Sequence, residues 1–122
     1  MNIFYRTVIG LGIATLFTFT ANAANSFVCT GKITTLGVHS TDRAFLRLEG
    51  MAGPVNICNL GKTIGTVYPV SAEQCKVAYS TLLTAYSMGK SISVHFDNVS
   101  SSNCSSAGAW EVATARWVHL DG

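Results

Sequence analysis

The alternation of apolar and polar residues predicts that most of this chain is β-structure. Residues 91–96 read SISVHF, so Ile92, Val94 and Phe96 point to one side and the polar residues between them point to the other. A period of two is typical of a half-buried strand. Similar β-rich or alternating stretches predict further strands at 27–38, 44–49, 55–60 and 110–120.

One helix is predicted immediately before the strand at 91–96. Ser71 can cap its N-terminus, and Gln74, three residues later, can bond back to the Ser71 backbone N–H as in a capping box. Apolar residues then recur at the three- and four-residue steps of a helix. These are Cys75, Ala78, Leu82 and Ala85, with Tyr79, Leu83 and Tyr86 widening the face. Gly89 follows where a left-handed C-cap is required, so we expect the helix to end there and Leu82 to be fully buried.

The order of these elements is strand–strand–strand–helix–strand–strand. This is the order of the OB-fold, a five-stranded Greek-key barrel with its helix between strands 3 and 4. The sequence therefore predicts a mainly β fold with one helix, formed as a single OB-like domain over residues 24–122. No internal repeat is visible in the sequence.

The N-terminus has the pattern of a secretory signal peptide. Arg6 precedes a largely apolar stretch at 8–19, and Ala21-Asn22-Ala23 is a small-x-small cleavage site. The apolar stretch is shorter than the roughly 20 residues that cross a bilayer, so stable membrane insertion is not expected. We predict a signal peptide at 1–23 and a secreted or periplasmic mature protein that begins at Ala24.

All four cysteines follow the predicted cleavage site, at Cys29, Cys58, Cys75 and Cys104. An even number of cysteines in a small exported domain predicts two disulfides, and the count alone allows three pairings. A zinc site is the alternative, but the spacings include no Cys-x-x-Cys pair, so no metal is expected.

The predicted topology favours one of the three pairings. In an OB barrel strand 1 pairs antiparallel with strand 4, which brings the start of strand 1 near the loop after strand 4. The end of strand 3 leads towards the start of the helix. We therefore predict disulfides between Cys29 and Cys104 and between Cys58 and Cys75.

Charge and motif content argue against nucleic acid and against catalysis. Without Arg6, seven Lys and Arg residues face six Asp and Glu residues, and no basic block is present, so nucleic acid is not favoured. His39, His95 and His119 lack the spacing of a metal site, and the sequence has no Gly-x-Ser-x-Gly motif. We expect neither an enzyme nor a cofactor.

Residues 55–60 (VNICNL) and 71–96 (SAEQCKVAYSTLLTAYSMGKSISVHF) resemble a unit of known proteins. The unit is strand 3, helix and strand 4 of the binding subunits of bacterial AB-type pentameric toxins, most like those of subtilase cytotoxin and typhoid toxin. In those subunits the helix ends in a turn of the form Tyr-x-x-Gly-(Lys or Gln)-Ser. The matching residues here are Tyr86, Gly89, Lys90 and Ser91.

This resemblance implies a homopentamer that binds sialylated or other glycans and performs no chemistry. The sugar pocket of the family uses a hydroxyl residue of strand 1, in a Phe-Ser-Gly setting. The corresponding residues here are Cys29, Thr30 and Gly31, so the resemblance makes Thr30 a ligand-binding residue.

The two tryptophans provide a second candidate. Trp110 and Trp117 have opposite parity on the last predicted strand, so we expect one to be in the core and the other exposed. Trp117 is the one expected outside, where an indole can contact a sugar or a partner protein.

Two hypotheses about function follow. The first is an exported, non-enzymatic glycan-binding protein of toxin-subunit type, with Thr30 and Trp117 at its ligand. The alternative is a periplasmic protein-interaction module, such as an inhibitor or immunity-type partner of another exported protein.

The export signal predicts where the mature chain begins. Intact-mass measurement of the protein recovered from the periplasm or medium should give a chain that starts at Ala24, with both cysteine pairs oxidised. A product that retains Arg6 would contradict the predicted cleavage.

Overall fold

The local signals in the sequence produce one helix and five strands in the part of the chain that the structure describes. The computed structural model describes residues 10, 12–15 and 24–121, so the predicted signal peptide lies largely outside them. The elements are β1 (Asn25–Val38), β2 (Arg43–Leu48), β3 (Val55–Asn59), α1 (Ala72–Met88), β4 (Ser91–Val99) and β5 (Thr114–Leu120). A single 3-10 turn, Cys104–Ser106, lies in the loop between β4 and β5.

The strands form one antiparallel sheet in the order β3-β2-β1-β4-β5. Strand β1 is 14 residues long, so it pairs with β4 along its first half and with β2 along its second half. The sheet closes where β3 meets the segment before β5 in a parallel contact. Asn56 N–H donates to the Glu111 carbonyl at 2.8 Å, and Ala113 N–H donates to the Asn56 carbonyl at 2.9 Å. This closed sheet, with α1 between β3 and β4, confirms the predicted OB-like fold.

Helix α1 has the predicted caps. The Ser71 hydroxyl accepts from Gln74 N–H at 3.1 Å, and the Gln74 side-chain oxygen accepts from Ser71 N–H at 2.9 Å. Gly89 ends the helix with φ 61°, a left-handed conformation that a Cβ would disfavour. The capping box and the glycine C-cap are both confirmed.

Only a narrow stripe of α1 enters the core. Cys75, Leu82 and Ala85 are buried, as predicted for Leu82, and they join the inward side chains of the strands. Leu83 and Tyr86 are exposed, so the prediction that they widen the buried face is wrong. The helix contacts β5, β1 and β3 along one stripe, and residues on its flank stay outside that contact.

Both disulfides form with the predicted pairing. Cys29 at the start of β1 bonds Cys104 in the loop after β4, with their Cα atoms 5.7 Å apart. Cys58 of β3 bonds Cys75 in the first helical turns, 17 residues later in the sequence. In the chain-entropy view a loop of that size stabilises the fold by about 3 kcal/mol, because the unfolded chain loses freedom.

The last strand is shorter than its alternation predicts. Ala109 and Trp110 have φ of 54° and 60°, a left-handed backbone that cannot continue a strand, so β5 begins at Thr114. Trp110 is 54% exposed and Trp117 is 39% exposed. The expectation that one tryptophan is in the core is therefore wrong, although Trp117 is outside as predicted. The small side chains of Ala113 and Ala115 face the core instead.

The burial of Leu82 predicts a large effect on stability. Leu82→Ala should lower the free energy of unfolding by roughly 2–5 kcal/mol, because it leaves a cavity beneath the helix. Leu83→Ala is the matched control, since Leu83 is its exposed neighbour, and it should change stability by less than about 1 kcal/mol. Urea unfolding of the oxidised protein measures both values, and equal losses would contradict the assigned helix face.

Candidate functional site

A β-bulge sets the outer face of β5. The pairing of β4 with β5 changes register next to the His95–Trp117 pair, which leaves Arg116 as an extra residue. A bulge re-aims the side chains around it. Arg116 contacts Asp97, and Trp117 contacts His95. The side chains of two consecutive residues of β5 therefore both lie on the outer face of the sheet.

Thr30 lies on the same outer face, on β1, which flanks β4 on the side opposite β5. It pairs with Ser93, and the two hydroxyl oxygens are 2.7 Å apart. Ser93 donates its hydroxyl proton to Asp121 Oδ2 at 2.8 Å, so Thr30 must be the donor to Ser93. The Thr30 oxygen therefore keeps lone pairs that can accept a hydrogen bond from a ligand.

The indole of Trp117 lies between two imidazoles. The His95 and His119 rings meet it in edge-to-face contacts, with ring centroids at 5.5 Å and 5.8 Å. The same face thus holds both predicted residues, but β4 separates Trp117 from Thr30, and the two do not touch.

Two adjoining cavities lie beside Trp117, between β5 and the first half of α1. Their volumes are about 360 Å³ and 420 Å³, and four residues line both. These shared residues are Gln74, Ala78, Arg116 and Trp117. Tyr68 lines the smaller cavity, and Val77 lines the larger one.

An ion pair fixes the polar side of this face. Arg116 donates to both carboxylate oxygens of Asp97, at 2.8 Å and 2.9 Å, and the Asp97 side chain is buried. The guanidinium carbon of Arg116 lies 3.5 Å from the centroid of the Tyr68 ring, which is a cation–π contact. Tyr68, although exposed and in a loop, is thereby held next to the sheet.

This arrangement shifts the pKa of the two charged groups. Burial disfavours the ionised carboxylate of Asp97, but hydrogen bonds from Arg116 and Ser26 and the charge of Arg116 prevail, and the Asp97 pKa lies below its ordinary value. The hydrogen bonds to Asp97 raise the pKa of Arg116 in turn. The pair is therefore ionised throughout the neutral range.

Ser26, His95 and Asp97 are close together, but their geometry is not that of a catalytic triad. The Ser26 hydroxyl is 2.6 Å from His95 Nε2 and donates to Asp97 Oδ1 at 2.8 Å. Since the hydroxyl proton goes to the carboxylate, the imidazole is the donor to Ser26 and cannot act as its base. Within the described residues, no three His, Cys, Asp or Glu side chains cluster as metal ligands.

The sequence predicts Thr30 and Trp117 as ligand-binding residues but does not predict the polar and aromatic groups that surround them on this face. Ser93 and Asp97 carried a usable signal, since both fall on the outward positions of the alternating strand β4. Arg116 did not, because the bulge that re-aims it cannot be read from alternation. Tyr68 lies in an irregular loop, where periodicity says nothing about its neighbours.

No family model, curated protein or solved structure matches this chain. The fold and the geometry of its surfaces are therefore the basis for assigning a function. In the described segments, no helix combines the length and the apolar character required to cross a bilayer.

The lowered pKa of Asp97 predicts how stability responds to acid. The ionised form is favoured in the folded protein, so its contribution is complete above about pH 4, the ordinary pKa of an aspartate, and is lost as pH falls through the lower folded pKa. Asp97→Asn should lower the melting temperature at pH 7 by several degrees and reduce the further loss between about pH 4 and pH 2. Asp42→Asn, at an exposed aspartate, is the control. Parallel melting curves for Asp97→Asn and the wild type across this range would contradict the assignment.

Proposed function

We propose that this protein is an exported, non-enzymatic glycan-binding module whose ligand lies on the outer face of β1, β4 and β5. The observation that carries the proposal is the exposed indole of Trp117 beside hydrogen-bonding groups that are already fixed. A sugar presents an apolar C–H face and a rim of hydroxyls, and an aromatic ring with fixed polar neighbours is complementary to both.

The polar groups of this face need little reorganisation to bind. Thr30 is fixed by Ser93, and Ser93 is fixed by Asp121. Arg116 is fixed by two hydrogen bonds to Asp97. Groups that are ordered before binding lose little conformational entropy when a ligand arrives, which favours affinity.

Two further observations support export and glycan binding. Two disulfides in a small domain are typical of oxidising compartments, in agreement with the signal-peptide pattern of residues 1–23. The resemblance to toxin binding subunits independently points to a hydroxyl residue of strand 1, and Thr30 lies on the proposed face. The same resemblance favours assembly into a ring of five copies.

One observation favours the alternative, a protein-interaction module. The Asp121 N–H donates to the Ser91 carbonyl at 3.3 Å, so Asp121 and Ser91 are a hydrogen-bonded pair of the β4–β5 ladder. Because hydrogen-bonded pairs alternate with non-hydrogen-bonded pairs in antiparallel strands, the backbone N–H and C=O groups of Val118 and Leu120 point away from β4. No described residue forms a backbone hydrogen bond with them from outside the sheet. A free strand edge of this kind can pair with an extended segment of a partner.

A glycan array tests the first function. The oxidised wild-type protein, with its mass determined by light scattering, should bind a defined set of glycans. Trp117→Ala and Thr30→Ala should each reduce affinity, the former by about tenfold or more, since tenfold corresponds to ~1.4 kcal/mol. Tyr86→Ala and Thr34→Ala are matched controls: Tyr86 is exposed on α1 outside the cavities beside Trp117, and the exposed Thr34 lies where β1 pairs with β2 and no longer with β4.

Absence of glycan binding by the wild type in its assembled state would contradict the proposal. Leu120→Pro separates the two functions, because it removes an N–H from the free edge and no hydrogen bond to β4, and Leu120 lies at the end of β5, outside the cavities beside Trp117. It should leave glycan binding intact. It should abolish capture of an exported protein partner, if the edge is the functional surface.

A further inference from the structure

A second tryptophan surface lies apart from the first. Trp110 belongs to the loop between β4 and β5 and is more than half exposed. It lines two cavities, of about 280 Å³ and 340 Å³, together with residues of β2, β3 and the loop between β1 and β2. These cavities share no lining residue with those beside Trp117.

The backbone that presents Trp110 is strained and firmly held. A left-handed φ is unfavourable for a bulky residue, and such conformations persist only where neighbouring structure enforces them. The Trp110 N–H donates to the Pro54 carbonyl at 2.9 Å, and Asn56 Nδ2 donates to the Trp110 carbonyl at 2.6 Å. The loop also approaches the turn before β3 so closely that a Cβ on Gly108 would lie 2.4 Å from Gly53 N. Strain of this kind is concentrated at functional sites.

Asn56 provides a hydrogen-bond acceptor in this pocket. The residue is only 6% exposed, and it lines both cavities. Its Nδ2 is used by Trp110, whereas its Oδ1 accepts no hydrogen bond from any residue that the structure describes. No buried side-chain oxygen or nitrogen of the described residues lacks a partner, so Asn56 Oδ1 is open to solvent, and a ligand hydroxyl can donate to it.

Two positive charges complete the surface. Arg43 lines both cavities, and Lys62 lines the larger one. Neither forms an ion pair within residues 24–121.

The Phe45 ring meets the Trp110 indole edge to face at 5.1 Å and supports it from the sheet.

We infer that this pocket binds an acidic saccharide, with a sugar face on Trp110, a carboxylate or sulfate at Arg43 and Lys62, and a hydroxyl at Asn56. An Arg fork matches a carboxylate in a bidentate way. OB-folds use strands 2 and 3 with the loops after strands 1 and 4 as a ligand surface, and this pocket lies there. Nucleic acid is less suited, because its affinity depends on neutralising many phosphates and the pocket offers two cations.

This site is additional to the one under the proposed function, and each can fail without the other. Trp117→Phe leaves Trp110 as the only tryptophan of the chain, so its fluorescence reports this pocket alone. The test titrates the oxidised mature protein with trigalacturonate and with a chondroitin sulfate tetrasaccharide. The fully methyl-esterified trigalacturonate is the matched neutral probe, since it keeps the rings and removes the charge.

We expect a fluorescence change and calorimetric binding with an acidic probe, and at least tenfold weaker binding of the methyl ester. Arg43→Gln and Lys62→Gln should each weaken binding about tenfold, and added salt should weaken it further. Lys90→Gln, at an exposed lysine beyond the helix, should bind as the wild type does. Trp110→Ala should remove binding, and the two charge variants keep the test valid should that variant not fold.

Any of the following results would overturn the inference. One is no binding of either acidic probe at millimolar concentration. Another is equal affinity for the charged and the esterified trisaccharide, or unchanged affinity in both charge variants. The third is tighter binding of an oligothymidylate than of any acidic saccharide, which would assign the pocket to nucleic acid.

Discussion

The two-way hydrogen bonding of Asn56 to the segment before β5 is the constraint on which the other features depend. Through its backbone, this residue of β3 accepts from Ala113 and donates to the Glu111 carbonyl, and so closes the barrel. Its side chain holds the Trp110 carbonyl. Closure therefore fixes the loop that presents Trp110 and also fixes where β5 starts, which determines the position of Trp117. A single residue couples the fold to both candidate surfaces.

Much of the fold could be predicted because its signals are local. The capping box of Ser71 and Gln74 and the glycine at 89 define the helix without reference to the rest of the chain. Alternation defines β4 in the same way. The disulfide pairing is not local, but it followed once the order of elements had selected a topology, since few topologies bring Cys29 near Cys104.

The surfaces were less predictable, because non-local contacts determine them. The bulge at Arg116 depends on how β5 meets β4, and strict alternation places that side chain on the wrong face. The left-handed backbone at Ala109 and Trp110 depends on bonds to Pro54 and Asn56, so the sequence gives no sign that the strand begins late. Thr30 and Trp117 were predicted from resemblance and residue type, and they remain predictions, whereas their neighbours on the sheet became visible only with the strand register.

The Cys29–Cys104 disulfide has a consequence for when the protein acquires its surfaces. Cys29 immediately precedes Thr30, and Cys104 anchors the loop that leads to Trp110. One covalent bond thus orders the start of the strand that carries one surface and the loop that carries the other. A reduced chain lacks this tether at both places, so oxidation of one cysteine pair orders both surfaces together.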